Sequence, residues 1–456
     1  MEYDIKTSTN KTIAAIATPI GEGGVAMIRI SGSNALKVAN EMFSKDILKL
    51  DANYLCYGQI LSKEGHILDD VMLVKFLAPK SFTGENTVEI FCHGGMLIQK
   101  SILQRAIECG ADHALPGEFS YQAFMNGKMD LAQAEAIQEL IGAKNQLALK
   151  AAENQLQGVL SKKILSIRQE LLEIAAIIDA WVDYPEEGLE FKSQEELLED
   201  LNSCYQKLLQ LKNSFHDGKK ISHGIKLCLL GAPNAGKSSL MNALLGFERA
   251  IVTPIAGTTR DLLEEDMNFF GLHFNLIDTA GIRETEEIIE KEGIRRSKSA
   301  ADSSDLILYV LDSTKPISLE EKKFLESLDE KKLIIILNKC DLTSSSANDF
   351  NFEAVKISAK EQTGLEDLKN AIVKKLWSEG PPSKEEAIIT KERHFVALEE
   401  CLENLDLVFS GFKMQTSCEF ISFDLRMALK SLGSIIGFDV SECILDSIFS
   451  KFCVGK

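Results

Sequence analysis

The sequence predicts a multidomain protein that combines α+β with α/β architecture, and three observations carry that expectation. Residues 1–119 alternate short β-branched runs with glycine-rich turns, and residues 131–183 are rich in Ala, Leu, Gln and Glu at helical spacing. Across residues 218–378, the apolar runs "IKLCLL", "FNLID", "LILYVLD" and "KLIIILN" recur between helical stretches, the pattern of a mostly parallel sheet wrapped by helices. A chain of 456 residues is long enough for several such domains.

The elements follow in order. "TIAAIATPI", "GEGG" and "VAMIRISG" read as strand, turn and strand; "VMLVKFLAP" and "NTVEIFCHGG" continue the sheet, and "MLIQKSILQRAIECGA" is an amphipathic helix. "LPGEFS" punctuates the end of this α+β unit, residues 1–119. Residues 120–217 form the first half of a helical domain, in which Ser193 and Glu196 are spaced as a capping box. "HDGKKISHG" reads as a polar hinge into the α/β domain at 218–378, and "SEGPPSKE" closes that domain. Helices resume in "FVALEECLENLDLVFS" and "CEFISFDLRMALKSLGSII", so residues 379–456 supply the second half of a discontinuous helical domain.

Composition narrows the function classes. Apolar residues make up 45% and charged residues 26%, an ordinary globular balance. Fifty Lys and Arg stand against 68 Asp and Glu, a net charge of -18, which argues against a general nucleic-acid coat while leaving room for a local basic patch. The ten cysteines include no C-x-x-C pair and the seven histidines no zinc-type spacing, as expected for free thiols in a reducing compartment. The opening segment carries acidic residues and no long apolar core, and no run approaches the ~20 apolar residues of a membrane span. A cytoplasmic protein without a membrane segment is expected.

The strongest local signal is "LLGAPNAGKSS". Gly231, four residues, then Gly236, Lys237 and Ser238 fit G-x-x-x-x-G-K-[ST]. The glycines let backbone N–H groups turn inward onto phosphate oxygens, and the following helix "SSLMNALLG" offers its positive end. Lys237 would reach the terminal phosphates and Ser238 would ligate magnesium. A chance glycine turn is the bland alternative, and a preceding strand with a following helix argues against it.

Three further elements come in order. "GTTRD" supplies a hydroxyl, Thr259, as second magnesium ligand; "LIDTAG" puts Asp278 near the metal and the Gly281 amide near the γ-phosphate; "LNKCD" brings Asn338, Lys339 and Asp341 to a strand end. A carboxylate there accepts two hydrogen bonds from the guanine edge, which adenine does not offer. "ISAK" adds the amide of Ala359 toward the guanine carbonyl. Together the four imply a GTP-binding domain, and the sequence here resembles the translation-factor-related GTPases. The glutamine that many Ras relatives place after the DTAG glycine is absent, since Gly281 is followed by Ile282 and Arg283. Hydrolysis must be assisted differently: Asn234 either holds a monovalent cation against the phosphates or stabilises the turn, and spacing leaves both open.

With these motifs inside a helical domain, and with "GGVAMIRISG", "SFTGEN", "CHGG", "PGEFSYQAFMNGKMDLAQAEAI" and the terminal "FCVGK", the whole chain resembles the MnmE (TrmE) family of tRNA-modification GTPases. The resemblance implies an N-terminal tetrahydrofolate-binding and dimerisation domain, a helical domain, and an inserted Ras-like P-loop GTPase domain. It implies a homodimer that works with an MnmG-type flavoprotein carrying FAD, as a heterotetramer. The pair installs an aminomethyl or carboxymethylaminomethyl group on the wobble uridine of certain tRNAs. GTP, Mg2+, K+ and a 5,10-methylene or 5-formyl tetrahydrofolate are the implied cofactors.

Carried over residue by residue, the resemblance assigns folate contacts to Arg29, Glu85, Lys128 and Lys456. It makes Asn234 a potassium ligand together with Thr253, Ile255 and Thr258, gives magnesium to Ser238 and Thr259, and places the hydrolytic water with Glu290. The nucleotide segments become Asn234, Ala235, Gly236, Lys237, Ser238 and Ser239; then Thr253, Pro254, Ile255, Ala256, Gly257, Thr258 and Thr259. Asp278, Thr279, Ala280 and Gly281 follow, then Asn338, Lys339 and Asp341, and finally Ser358, Ala359 and Lys360. Two departures, Ala232 and Arg295, touch no assigned ligand.

The ending "FCVGK" admits three readings: a lipidation signal, a core cysteine, or a reactive thiol belonging to a site built elsewhere. Gly455 and Lys456 do not make a prenylation box, and a core cysteine gives no reason for Lys456. The family resemblance folds the tail back to the folate-bearing domain, with Cys453 as nucleophile, proton donor or positioner. Against the modifying enzyme stands a GTPase switch that docks on the ribosome or another assembly without modification chemistry, or a GTPase with scaffolding flanks. Folate binding separates them.

Overall fold

Alternation of apolar and polar residues fixes which side of the N-terminal sheet is core. In the computed structural model, which describes residues 11–19, 21–184, 192–247, 265–277, 298–342, 354–377 and 386–455, the chain divides into two compact units. Unit 1 comprises residues 1–138, 155–197 and 403–456, and unit 2 residues 139–154 and 198–402.

Unit 1 contains a six-stranded sheet. Its strands are β1 (Ile13–Ile16), β2 (Gly23–Ser31), β3 (Cys56–Leu61), β4 (Ile67–Phe76), β5 (Thr87–Gly94) and β6 (Asp112–His113), in the order β3-β4-β5-β2-β1-β6. Only β1 and β6 pair in parallel. Register sets Ile28 opposite Ile90 and Ile30 opposite Val88, and these side chains bury one face against the helices Ala35–Met42 and Met96–Glu108. One residue on, Arg29 faces Glu89 on the other side of the sheet, because successive side chains alternate. That side is partly covered by a small cluster of Ile13, Ala15, Ala114, Phe119 and Phe82. The strand Cys56–Leu61 and the helix Ala35–Met42 add to the elements expected from the sequence.

The helical part of unit 1 shows the expected period. In the helix Val159–Asp183, Leu160, Ile164, Ile167, Leu171, Ile174 and Ile178 are buried, one stripe at 3.6-residue spacing. It packs beside the helix Cys418–Ser434, where Asp179 accepts from Ser422 Oγ at 2.6 Å and from Arg426 at 3.0 Å. The helix Gln194–Asn213 opens with the predicted capping box: Glu196 N donates to Ser193 Oγ at 3.2 Å, and Ser193 N to Glu196 Oε2 at 2.9 Å.

Unit 2 holds the second sheet: β7 (Ile225–Leu230), β8 (Glu265–Phe269), β9 (Leu272–Ile277), β10 (Leu306–Asp312), β11 (Leu333–Asn338) and β12 (Ala354–Lys356). Their order is β12-β11-β10-β7-β9-β8, parallel throughout except for the edge strand β8. Both faces are covered by separate apolar clusters, so β10 and β11 are buried almost end to end. The stretch read as a polar hinge is instead the helix Phe215–His223, which buries Phe215, Gly218 and Ile221 on one face. The expected boundaries at 119/120 and 217/218 fall inside helices, Glu118–Met125 and Phe215–His223. No described helix is long and apolar enough to cross a membrane.

Candidate functional site

The parallel strands β7, β10 and β11 end at one edge of the second sheet, where open α/β sheets bind ligands. Between β7 and the helix Lys237–Phe247 the chain makes the tight loop 231–236. Gly231 has φ 142°, and a Cβ there would stand 2.2 Å from the Val310 carbonyl oxygen. Gly236 has φ 98°, and a Cβ would stand 2.1 Å from Asn338 Nδ2. Neither position accepts another residue without shifting its neighbours. Asn234, at the loop's exposed apex, adopts φ 61°, a left-handed conformation that asparagine tolerates.

The lysine of the motif curls over this loop: Lys237 Nζ donates to the carbonyls of Gly231 at 2.8 Å and Ala232 at 2.9 Å. Ala235 is buried, while Ser238 and Ser239 are exposed on the first turn of the helix. At the end of β11, Asn338 is buried and clamps two loops, donating from Nδ2 to the Ala235 carbonyl at 3.0 Å and accepting from Ala359 N at 3.0 Å. The Ala359 amide, expected to face a guanine carbonyl, is therefore bonded to Asn338 here. Asp341 is exposed and held by Ser358 Oγ at 2.7 Å, and Lys360 is largely exposed.

Lys339 adopts φ 65° and is held by two oxygens: its Nζ lies 2.8 Å from the Asn234 carbonyl and 2.7 Å from Asp312 Oδ2. Asp312 was not among the sequence expectations. Burial alone would push its carboxyl up, but the hydrogen bond from Lys339, joined by Thr314 Oγ1 at 2.6 Å and Thr314 N at 3.0 Å, brings it down to about 2. The signal available in the sequence was an acidic residue closing an otherwise apolar parallel strand. The structure thus gathers 231–239, 338–341 and 358–360 at one sheet edge. Thr253, Pro254, Ile255, Ala256, Gly257, Thr258 and Thr259 lie outside the described residues, as do Asp278, Thr279, Ala280, Gly281 and Glu290.

In unit 1 the C-terminal motif meets the N-terminal sheet. Phe449 and Phe452 are buried with Tyr121, Leu131, Ala134 and Leu445, and Tyr121 meets Phe449 edge-on at 5.5 Å. Beyond them, the Cys453 carbonyl accepts from Gly117 N at 3.4 Å, and buried Gly455 abuts β1. Gly455 has φ 93°, and a Cβ there would lie 2.5 Å from the Ile16 carbonyl oxygen. The Gly455 carbonyl accepts from Arg29 at 3.4 Å, and Arg29 pairs with Glu89 at 2.9 Å, both side chains 15% exposed. Cys453 is exposed between these anchors, and Lys456 lies outside the described residues.

Glu85 sits near a buried trio of hydroxyls, Ser31, Thr83 and Thr87, with Ser31 Oγ 2.7 Å from Thr83 Oγ1. Its Oε2 is buried with no hydrogen-bond partner among the described residues. Burial pushes its carboxyl above the usual range, and a hydrogen bond from Ser31 opposes that. Lys128 donates to the Pro79 carbonyl at 3.0 Å, beside the loop that carries Glu85. Arg29, Glu85, Lys128 and Cys453 thus all belong to unit 1, whereas sequence reasoning missed Glu89, which looks like any polar residue of an alternating strand.

A doubly covered, mostly parallel sheet with a phosphate-binding loop, N-K-x-D at a neighbouring strand end and S-A-K beyond it defines a P-loop GTPase fold. Comparison with known proteins narrows the class. The family model described as "GTP-binding protein TrmE N-terminus" matches residues 12–128, and "MnmE helical domain" matches residues 131–453. Over 447 residues, 98% of each chain, this chain is 53% identical to the tRNA modification GTPase MnmE of Protochlamydia amoebophila. The MnmE proteins of Acetivibrio thermocellus and Clostridioides difficile are 41% and 40% identical over 455 residues, 98% of this chain and 99% of each relative. The chain belongs to the MnmE family of tRNA modification GTPases.

Proposed function

We propose that this chain hydrolyses GTP at the loop 231–239 and, with an MnmG-type flavoprotein that carries FAD, modifies carbon 5 of the wobble uridine of certain tRNAs. The group added is aminomethyl or carboxymethylaminomethyl, and a 5,10-methylene or 5-formyl tetrahydrofolate donates the one-carbon unit. The observation that carries this reading is the docking of the Cys453 segment on the N-terminal sheet beside Arg29, in a chain that also has the complete loop for phosphates. A GTPase switch without modification chemistry gives no reason for that docking.

The residues present fit the groups this reading needs. Magnesium takes hard oxygen ligands, and exposed Ser238 offers one at the positive end of its helix. Potassium would neutralise charge that develops on the phosphates. Lys339 occupies the Asn234 carbonyl, which leaves the Asn234 side-chain oxygen as that residue's donor to a cation. Thr253, Ile255, Thr258 and Thr259 would complete the two sets, and Glu290 would position water. Glu85, with a buried oxygen lacking a partner, fits the paired N–H donors of a pterin ring, and it would orient that ring. Lys128 adds a cation for the ligand's carboxylates.

Val25, Tyr57 and Met72 are exposed apolar residues on the outer sheet face of unit 1, which suits a second copy in a homodimer. The setting is the cytoplasm. Calorimetry with 5-formyltetrahydrofolate tests the reading: binding that is lost in Glu85→Ala supports it, and no detectable heat with the unaltered protein sinks the modification chemistry for this chain.

A further inference from the structure

We infer that Glu89 is a positioning residue for the C-terminal thiol, acting through Arg29, so that the Arg29–Glu89 pair is a clasp on the terminal segment. The inference rests on the reading of Cys453 given above and goes beyond it, because it gives Arg29 a protein partner and adds a residue that no motif marks.

The terminal segment is fixed at three levels. Phe452 is buried beside Phe449, with ring centroids 5.3 Å apart. The Cys453 carbonyl rests on Gly117 N, a glycine whose own Cβ would lie 2.4 Å from the Phe449 carbonyl oxygen. Gly455 then lies under β1, so the thiol of Cys453 is carried on a short span between two fixed points.

At the far point Arg29 NH1 donates to the Gly455 carbonyl at 3.4 Å. At that length the bond is weak by itself, so its geometry depends on what holds the guanidinium. Glu89 supplies that hold: Oε1 accepts from Arg29 Nε at 3.0 Å and stands 2.9 Å from NH2. Phe82 and Phe119 flank the same guanidinium at 5.3 Å and 5.7 Å from their ring centroids. Arg29 and Glu89 are directly opposite across β2 and β5, so backbone register sets the pair. With Glu89 removed, Arg29 loses the acceptor that turns its plane toward the tail and keeps a reason to seek solvent.

Trypsin reports the docking directly. Lys451 is exposed while Phe452 is buried, so cleavage after Lys451 and release of the pentapeptide 452–456 requires the segment to lift. In Glu89→Ala, release measured by mass spectrometry should be about tenfold faster than in the unaltered protein, the effect of losing a charged hydrogen bond. Glu89→Gln, which keeps an acceptor of the same shape, should fall between them. Arg29→Ala and the double variant Arg29→Ala with Glu89→Ala should release it equally fast, because Glu89 acts through Arg29. Wobble-uridine modification in cells should fall in the same order as release rises. Unchanged release in Glu89→Ala overturns the clasp whatever Cys453 does. Faster release with full modification overturns the positioning role. Full modification by Cys453→Ser, with the release pattern as expected, sinks instead the underlying reading of the thiol.

Discussion

Asp312 Oδ2 lies 2.7 Å from Lys339 Nζ, and the same ammonium lies 2.8 Å from the Asn234 carbonyl, so one lysine ties the end of β10 to the apex of the phosphate loop. The Asp312 side chain is 8% exposed and that of Lys339 33%, so water and salt screen the pair only in part. Asp312→Asn should accelerate dissociation of a fluorescent GDP about tenfold, the effect of weakening a charged hydrogen bond. Dissociation at the unaltered rate would show that Lys339 is held well enough by Asn234 alone.

The same carboxylate sets an acid limit. Its folded pKa of about 2 is below the ordinary 3.8, so its contribution is present above 3.8 and disappears as pH falls through about 2. Urea unfolding should therefore find Asp312→Asn less stable than the unaltered protein at pH 5 and the difference shrinking toward pH 2. A gap that is constant with pH would contradict the pairing.

Glu85 has the opposite sign. Burial raises its folded pKa, so its contribution is present below the ordinary carboxylate range and is lost as pH rises through the raised value. Glu85→Gln, which stays neutral, should gain stability relative to the unaltered protein as pH rises, and should lose folate affinity. A ligand supplying two N–H donors should reverse the gain by stabilising the charged carboxylate.

Gly455→Ala tests the tail's fit. A methyl group 2.5 Å from the Ile16 carbonyl, at φ 93°, cannot be accommodated without displacing the segment. Modification should be abolished, while the urea midpoint shifts little, because Phe449 and Phe452 still hold the preceding residues in the core. A large loss of global stability would mean that the tail is a structural staple.

GTP turnover should rise severalfold in potassium over sodium, because Asn234, with its carbonyl engaged by Lys339, has its side-chain oxygen left for a cation. Equal rates in the two salts would remove that role, and the Asn234 side chain would then belong to the turn.

Much of the fold was legible where local sequence alone decides conformation. The loop 231–236 was readable because its glycines answer backbone demands at fixed spacing, and the capping box at Ser193 and Glu196 because it spans only one turn. The helix Phe215–His223 was hidden, since its three buried positions, one of them a glycine, lie among lysines, histidines, an aspartate and a serine, and its cover is supplied by a distant segment at Ile389. Asp312 and Glu89 escaped for a related reason. Each acquires its partner through strand register, which sets Asp312 opposite Asn338 and so beside its partner Lys339, and Glu89 opposite Arg29; register is a property of the assembled sheet.

In the proposed function, a GTP-hydrolysing loop and a thiol that serves tRNA modification act in one chain. Its most direct test is the level of wobble-uridine modification, read by mass spectrometry of tRNA digests, in cells lacking this protein and restored with either the unaltered chain or Cys453→Ser. Modification should be full with the unaltered chain and absent with Cys453→Ser, although the purified variant hydrolyses GTP at the ordinary rate. Full modification by Cys453→Ser would contradict it.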